Sequence, residues 1–222
     1  MDDTVGRLRF CFPQEQLNVI VGTLLGDGRL EERSKGVRSY TARLRVHHGR
    51  DQKNYVLWKY KVLKNLVSKE PREIVWVNPK RNLREVSWYF HTRSTKEFRF
   101  LHEIFYRDRK KVIPREIEEL LTPQSIAVWA MDDGAYAQPY FNFNTHGFEV
   151  EEQDQLRNAL LKRFRIQTAL HRDRHQWKIA VNRESVKILL DLISPFVIPT
   201  MRYKIEVPVS TESDRNRTRV IV

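Results

Sequence analysis

The sequence predicts a mixed α/β (α+β) protein built from two diverged copies of one helix-and-strand unit, and three observations support this prediction. An apolar segment that stops at Asp-Gly occurs twice, as LNVIVGTLLGDG (17–28) and SIAVWAMDDG (125–134). Strand-like and helix-like segments follow each copy in the same order. Each half also ends in an Ile-Pro pair, within KKVIP and SPFVIP, beyond an amphipathic helix. A repeat of about 90 to 100 residues predicts pseudo-two-fold symmetry.

Composition and charge limit the function classes. The chain has 222 residues, a net charge of +12 and 41% apolar residues, which suffices for a packed core. Basic residues spread through the ordered sequence favour a folded surface that binds nucleic-acid phosphates. No apolar run approaches the ~20 residues that cross a bilayer, and residues 1–10 lack a signal-peptide core, so we expect no membrane association. The single cysteine, Cys11, excludes an internal disulfide and a thiolate zinc site and indicates a reducing, intracellular compartment.

The first half alternates between strands and helices. Residues 39–48 (SYTARLRVHH) alternate apolar and polar side chains, which predicts a half-buried strand with a basic polar face. A helix is predicted over 51–68, with an apolar stripe on one face and lysines on the other. Residues 72–78 and 84–91 predict a strand pair that is mostly core. A second amphipathic helix is predicted over 94–106.

The second half repeats this order. Its pattern predicts a hairpin at 140–146, a helix over 149–164, strands around 167–171 and 176–181, and a helix over 184–193. The agreement between the halves supports the duplication.

Both Asp-Gly segments are predicted to be helices with defined starts and ends. Pro13 precedes the first, and Thr122-Pro123 provides an N-cap and a first-turn proline for the second. Gly28 and Gly134 are predicted to end these helices in the left-handed conformation.

The helix ends carry the residues on which a functional hypothesis depends. Gly22 and Gly26 allow close approach of a second helix, so we expect the two segments to pack side by side. Asp27 and Asp133 then meet at helix C-termini, whose negative poles require a compensating cation. Carboxylate and carbonyl oxygens suit Mg²⁺ and predict a metal-dependent phosphodiesterase site. Asp132 is an alternative ligand to Asp133, although its spacing from the glycine makes Asp133 the counterpart of Asp27.

At these residues the sequence resembles the LAGLIDADG homing endonucleases. IVGTLLGDG and IAVWAMDDG correspond to the two motif copies, and KKVIP and FVIPTMRYKIEVP extend the similarity to the two-motif, single-chain branch. The resemblance implies two pseudo-symmetric αββαββα units with the motif helices at the central interface and saddle-shaped antiparallel sheets. The implied divisions are an N-terminal extension (1–13), a first unit (14–121), a second unit (122–208) and a C-terminal tail (209–222).

The resemblance also implies the metal chemistry. Asp27 and Asp133 are expected to bind the divalent cations, with help from the carbonyls of Gly26 and Asp132, and each acid is expected to serve one DNA strand. The expected cofactor is Mg²⁺, as roughly two or three ions. Mn²⁺ is expected to substitute for it, and Ca²⁺ to bind without supporting cleavage.

Two lysines match basic residues that lie near the scissile phosphates in this branch. Lys111 and Lys204 are expected to stabilise transition-state charge or to orient the attacking water. Lys110 is the alternative to Lys111. The second motif has Val128 where the first has Gly22, so the helix interface is expected to be asymmetric.

Base and phosphate contacts are expected along the basic strands and loops. The predicted DNA-binding residues are Arg29, Arg33, Lys35, Arg38, Arg43, Arg45, His47, Asn142, Asn144, Arg172, Arg174 and Lys178. We expect His48 to contact phosphates or bases together with His47.

The resemblance therefore implies a monomeric, site-specific double-strand DNA endonuclease that cuts a long asymmetric target and leaves short 3′ overhangs. Two alternatives stay open. One is an intron RNA maturase or another non-catalytic nucleic-acid-binding protein of the same fold. The other is a DNA binder whose acids are structural. The presence of both Asp27 and Asp133 favours the nuclease.

Overall fold

A computed structural model describes residues 3–34, 40–78 and 83–206 of the chain, and the predicted αββαββα order occurs in both halves. The first half begins with a helix that the sequence pattern did not predict, α1 (Thr4–Cys11). The elements that follow it are α2 (Gln14–Leu25), β1 (Arg29–Ser34), β2 (Tyr40–Gly49), α3 (Lys53–Val62), β3 (Arg72–Asn78), β4 (Leu83–His91) and α4 (Lys96–Phe105).

A short hairpin and a short helix link the halves. They are β5 (Tyr106–Arg107), β6 (Lys110–Lys111) and α5 (Ile117–Leu120). The elements of the second half are α6 (Pro123–Asp133), β7 (Gly134–Ala137), β8 (Tyr140–Phe143), α7 (Val150–Phe164), β9 (Thr168–Asp173), β10 (Gln176–Val181) and α8 (Arg183–Ile193). Short 3₁₀ turns, Ser194–Phe196 and Pro199–Lys204, follow α8.

The two halves build equivalent sheets. Each has four antiparallel strands, in the order β1-β2-β4-β3 in the first half and β7-β8-β10-β9 in the second. The same strand order in both sheets confirms the duplication that the sequence predicts.

The helices α2 and α6 pack against each other at the centre of the molecule. A Cβ atom added to Gly22 would lie 2.4 Å from the Ser125 carbonyl oxygen and 2.6 Å from Val128 Cβ. A Cβ atom added to Gly26 would lie 2.4 Å from Asp132 Cβ. The two glycines thus permit the close approach of the helices, and each of them faces a larger residue of α6.

The prediction that Gly28 and Gly134 adopt the left-handed conformation is wrong. The cap of α2 is Gly26, and neither Gly28 nor Gly134 has a φ in the left-handed range; that of Gly134 is −74°. Packing explains why glycine occupies these positions. An added Cβ would lie 2.3 Å from Thr23 Cγ2 at Gly28 and 2.3 Å from the Ala130 carbonyl oxygen at Gly134.

The strand pair β3–β4 is less buried than the sequence pattern predicts. Trp76 is 51% exposed, and its neighbours Val75 and Val77 are also exposed. The reason is topological, since β3 is an edge strand with a neighbour on one side only. Its apolar composition therefore reflects strand propensity more than burial.

None of the helices in the described ranges combines the length and apolar character that crossing a bilayer needs.

Candidate active site

The ends of α2 and α6 bring the motif acids to one place. Asp27 follows the cap of α2, whereas Asp133 is the last residue of α6. The backbone N–H of Asp27 donates a hydrogen bond to Asp132 Oδ2 (3.2 Å), so the two chain segments are in contact at this point. The start of α6 is fixed by a capping box between Thr122 and Ser125.

Two lysines occupy equivalent places beside the two motifs. Lys111 Nζ donates to the carbonyl oxygens of Gly26 and Gly28, at 2.8 Å each. Lys204 Nζ donates to the carbonyl oxygens that flank the second motif acid, those of Asp132 (3.2 Å) and Gly134 (3.1 Å). Each ammonium group therefore bridges the residues before and after a motif acid. The negative ends of the two helices receive the positive charge that the macrodipole favours.

The β5–β6 hairpin places Lys111. Its turn residues, Asp108 and Arg109, both have left-handed backbones with φ of 50° and 65°, as two-residue type I′ hairpins require. The hairpin is tied to the first sheet because the Tyr106 hydroxyl accepts a hydrogen bond from the Leu30 N–H (3.0 Å).

Of the two adjacent lysines in β6, only one reaches the motif. Lys110 is paired with Glu149 on the surface. The geometry thus places Lys111, and not its alternative Lys110, at the first motif.

The two motif acids differ in their electrostatic environments. Burial, together with the negative charges of Asp27 and Asp132, raises the pKa of Asp133 to about 7. Burial alone would raise the pKa of Asp27 too, but the hydrogen bond from His48 and the positive charges of Lys59 and Lys204 hold that pKa below its ordinary value. The three crowded carboxylates make this a site in which additional positive charge is favourable.

The third carboxylate, Asp132, belongs to a buried network. Lys59 on α3 is fully buried, and its Nζ lies 2.8 Å from Asp132 Oδ1 and 3.1 Å from Oδ2. The Tyr55 hydroxyl donates to Oδ1 at 2.7 Å. This ion pair joins a helix of the first half to the motif helix of the second half.

The expectation that the lysines of this helix lie opposite its apolar face is wrong for Lys59. The signal that could have found it is its spacing, since Lys59 falls between Val56 and Leu63 on the buried face.

The prediction that His48 contacts phosphates or bases is also wrong for the free protein, because its side chain is 1% exposed. His48 Nε2 lies 3.3 Å from Lys59 Nζ, and His48 Nδ1 lies 3.5 Å from Asp27 Oδ2. Since an ammonium group can only donate, Nε2 accepts and the Nδ1–H points to Asp27. Continuing the strand alternation from the buried Val46 would have placed His48 on the buried face.

Two sets of residues at this site offer ligand atoms for a metal ion. Asp27, His48 and Asp132 present ligand atoms that all lie within 4.8 Å of one another. However, the Lys59 ammonium already neutralises Asp132, which disfavours a second cation in that cluster. Asp27 and Asp133, the partly exposed carboxylates, have the hard oxygen donors that fit a divalent cation.

The basic strands of the first sheet present one continuous face. The register pairs Arg29 with Arg45 and Arg33 with Thr41, which places these residues on the same side of the sheet. The predicted contacts Arg29, Arg33, Arg43, Arg45 and His47 share this side, opposite the buried face. Lys35 and Arg38 lie outside the described residues.

The second sheet presents fewer of the predicted contacts. Asn142 pairs with Ala180, which places Asn142 on the same side as Lys178. Arg172 pairs with Trp177 on the other side of the sheet, so it does not extend this surface.

Two further predicted contacts follow strands. Arg174 lies in the β9–β10 turn, with a positive φ of 58°. Asn144 lies beside the second motif, where its N–H donates to the Asp133 carbonyl oxygen (3.0 Å).

Comparisons with known proteins agree with this geometry. The chain is similar to the cytochrome b mRNA maturase bI2 of Debaryomyces hansenii, with 27% identity over 197 residues, 86% of this chain and 74% of the relative. It is also similar to the DNA endonuclease I-ChuI of Chlamydomonas applanata, with 29% identity over 209 residues, 86% of this chain and 94% of the relative.

Two solved structures share the fold. The homing endonuclease I-WcaI bound to its DNA recognition sequence superimposes with a TM-score of 0.80, at 22% identity, over 92% of this chain and 93% of its own. I-DmoI in complex with DNA and Mn gives a TM-score of 0.52, at 12% identity, over 82% of this chain and 97% of its own. The LAGLIDADG DNA endonuclease family model matches residues 17–189, and the chain therefore belongs to that family.

Proposed function

We propose that this protein is a site-specific double-strand DNA endonuclease that hydrolyses one phosphodiester in each strand of a long, asymmetric target. The observation that carries the proposal is the twofold arrangement at the motif ends. Asp27 is accompanied by Lys111, and Asp133 by Lys204, with each lysine bridging the carbonyls on both sides of its acid. A paired acid and cation for each half suits a duplex with two strands to cut.

Asp27 and Asp133 would hold the divalent cations, for which Mg²⁺ is the proposed species. When bound, such a cation would supply a water molecule of lowered pKa and would stabilise charge on the phosphoryl oxygens. The carbonyl oxygens of Gly26 and Asp132 already accept hydrogen bonds from the two lysines. A carbonyl oxygen has two lone pairs, so each can still serve as a further ligand. We expect Mn²⁺ to substitute for Mg²⁺, and Ca²⁺ to bind without supporting cleavage.

The protein's own residues would prepare the phosphate sites. Lys111 and Lys204 are held by backbone carbonyls, so their positive charges are in place before the substrate arrives and need no reorganisation. The pKa of Asp133 of about 7 means that this carboxyl carries a proton in part of the metal-free molecules at neutral pH. That proton must leave before Asp133 can act as a ligand.

The two sheets would provide the recognition surface. The basic side of the first sheet would lie in the major groove and contact phosphates and base edges. The sheets differ in the side chains that they present, which supports an asymmetric target read by a monomer. We expect the cuts to leave short 3′ overhangs.

Cleavage of a randomised double-stranded DNA library in Mg²⁺, followed by sequencing of the cut ends, tests the proposal. We expect one long motif with 3′ overhangs, and no cleavage by Asp27→Asn or Asp133→Asn although both variants still bind the recovered motif. Binding to the motif with unchanged cutting by both variants would contradict the assigned roles. Wild-type protein that binds duplexes without cutting any of them would contradict the nuclease itself.

A second candidate function is the binding of intron RNA as a maturase. The relatives from Debaryomyces hansenii and Saccharomyces cerevisiae, both described as cytochrome b mRNA maturase bI2, favour it. In-vitro splicing of intron-containing precursor RNAs, with and without the protein, tests this function. Splicing that requires the protein and persists in Asp27→Asn would support a maturase that is independent of the nuclease site.

A further inference from the structure

The basic side of the first sheet has an acid at its centre. Glu31 on β1 lies directly opposite Arg43 on β2, and Arg29 and Arg45 form the next pair along the same side. A carboxylate at this place is unexpected on a surface that would bind phosphates, because it repels them. The arginines that surround Glu31 indicate its role.

The Glu31 carboxylate holds three arginines together. Arg43 donates to Oε2 through Nε (2.9 Å) and Nη2 (2.6 Å). Arg29 Nη2 donates to Oε1 at 2.9 Å, and Arg45 Nη1 forms an ion pair with Oε1 at 3.5 Å. The side chains of Glu31 and Arg43 are each 19% exposed, so this cluster is partly sheltered from water.

The lone pairs of Glu31 are used by the protein itself. An ionised carboxylate has about four acceptor sites, and the three arginines occupy them. Burial would raise the pKa of Glu31, but the hydrogen bonds from Arg43 and Arg29 lower it to about 2. The carboxylate therefore stays ionised at neutral pH and has no free acceptor site to offer a base.

The row of hydrogen-bonded side chains on this side of the sheet continues beyond the three arginines. Arg45 Nη2 lies 3.3 Å from His47 Nδ1, and His47 Nε2 lies 2.8 Å from Ser87 Oγ. Since a guanidinium group can only donate, His47 Nδ1 accepts and its Nε2–H donates to Ser87. The donors that remain free on these side chains therefore point in fixed directions before any ligand arrives.

We propose that Glu31 is a positioning residue that fixes the arginine row of the first sheet and so determines which base pairs this half of the protein selects. The inference rests on the proposed function. Arg43 uses Nε and one N–H of Nη2 for Glu31, so its remaining N–H groups are presented in one orientation. Such a fixed fork matches the paired acceptors of guanine, whereas a mobile arginine would bind any phosphate within reach. The negative charge of Glu31 repels DNA whose base edges do not match the arginine donors. Selectivity then comes from this repulsion as well as from the hydrogen bonds to the preferred bases.

Selection from a randomised double-stranded DNA library in Ca²⁺ tests the inference, with base preference measured at every position. We expect Glu31→Gln to lose about tenfold of its discrimination within one contiguous block of the motif and to keep the rest. We also expect its binding to non-selected DNA to become tighter, with a salt dependence steeper by roughly one phosphate contact. A general loss of folding would instead weaken the whole motif.

The matched control is Glu32→Gln. It makes the same charge change one residue away, on the other side of the sheet. There Glu32 Oε1 lies 3.4 Å from His102 Nδ1. Glu32→Gln is expected to keep the wild-type motif. Arg43→Lys keeps the charge but loses the fork, and it is expected to lose discrimination in the same block as Glu31→Gln.

Three results would overturn the inference. If Glu31→Gln selects the wild-type motif, the inference fails and the nuclease proposal stands. If Glu31→Gln and Glu32→Gln weaken the whole motif equally, the effect is one of net charge only. If wild-type protein enriches no motif, the proposed function fails, and the inference fails with it.

Discussion

Lys59 and Asp132 form a buried ion pair between the two halves of the molecule, with the ammonium nitrogen 2.8 Å and 3.1 Å from the two carboxylate oxygens. Burial lowers the pKa of Lys59, while the charge of Asp132 raises it. The pair also contacts the first motif acid, because the Asp27 N–H donates a hydrogen bond to the Asp132 carboxylate. Lys59 therefore contributes both to the contact between the halves and to the surroundings of the first motif acid.

Lys59→Met is expected to destabilise the protein by about 3–5 kcal/mol, because it leaves the Asp132 carboxylate buried without a counter-charge. Urea unfolding measures the change. Lys61→Met, on the exposed side of the same helix, is the control and is expected to stay within about 0.5 kcal/mol of wild type. Adding Asp132→Asn to Lys59→Met is expected to recover part of the loss. A Lys59→Met protein as stable as wild type would show that the pair is unimportant for folding.

The raised pKa of Asp133 predicts a pH-dependent stability in the metal-free protein. A carboxyl whose folded pKa is about 7 favours folding while it is protonated, and this contribution is lost as pH rises from about 4 to 7. Allowing for partial exposure, we expect wild type to lose roughly 2 kcal/mol between pH 5 and pH 8 that Asp133→Asn does not lose.

Urea unfolding in EDTA at the two pH values checks this expectation, and Mg²⁺ at pH 8 is expected to restore stability to wild type. The same pH dependence in both proteins would show that another group is responsible.

The contact between the motif helices predicts the effect of one methyl group. Gly22→Ala would place Cβ 2.4 Å from the Ser125 carbonyl oxygen, so the helices must separate. We expect a loss of about 1–3 kcal/mol in unfolding free energy. Gly147→Ala is the matched control, since an added Cβ there meets nothing within 4 Å. Equal stability of the two variants would mean that the helices can separate without cost.

The equivalent places of Lys111 and Lys204 predict strand-specific defects. Lys111→Met is expected to slow cleavage of one strand by about 100-fold, and Lys204→Met that of the other, since each removes one preorganised charge. Nicked duplex should therefore accumulate, and labelling each strand separately shows which cut is slow. Lys110→Met is the control and should cut both strands at the wild-type rate. Equal slowing of both strands by either variant would contradict the one-lysine-per-strand assignment.

Much of the architecture could be predicted from the sequence. Repeated Asp-Gly segments and alternating patterns predicted the duplication and the order of helices and strands, which the structure confirms. The resemblance to the LAGLIDADG family, which implied the αββαββα unit, is confirmed by the family match. These features depend on local periodicity, which each segment carries in its own residues. Asp27 and Asp133 could be proposed as site residues for the same reason, because each lies within its own short motif.

The features that were not predicted depend on residues that are distant in the sequence. Lys59 is buried because Asp132, 73 positions away, supplies its counter-charge. Trp76 is exposed because β3 lies at a sheet edge, which only the strand order shows. Gly28 is required by contact with Thr23 and not by its own φ. Glu31 becomes significant only when the register places Arg43 opposite it.

The central interface pairs unlike residues. Gly22 faces Val128, and Gly26 faces Asp132. Two copies of the first half would set glycine against glycine and lose the contacts that Val128 and Asp132 make, whereas two copies of the second would collide at Val128 and bury two Asp132 carboxylates without Lys59. Each half therefore fits the other better than itself. If the two halves were produced as separate chains, we would therefore expect each to bind the other in preference to a second copy of itself.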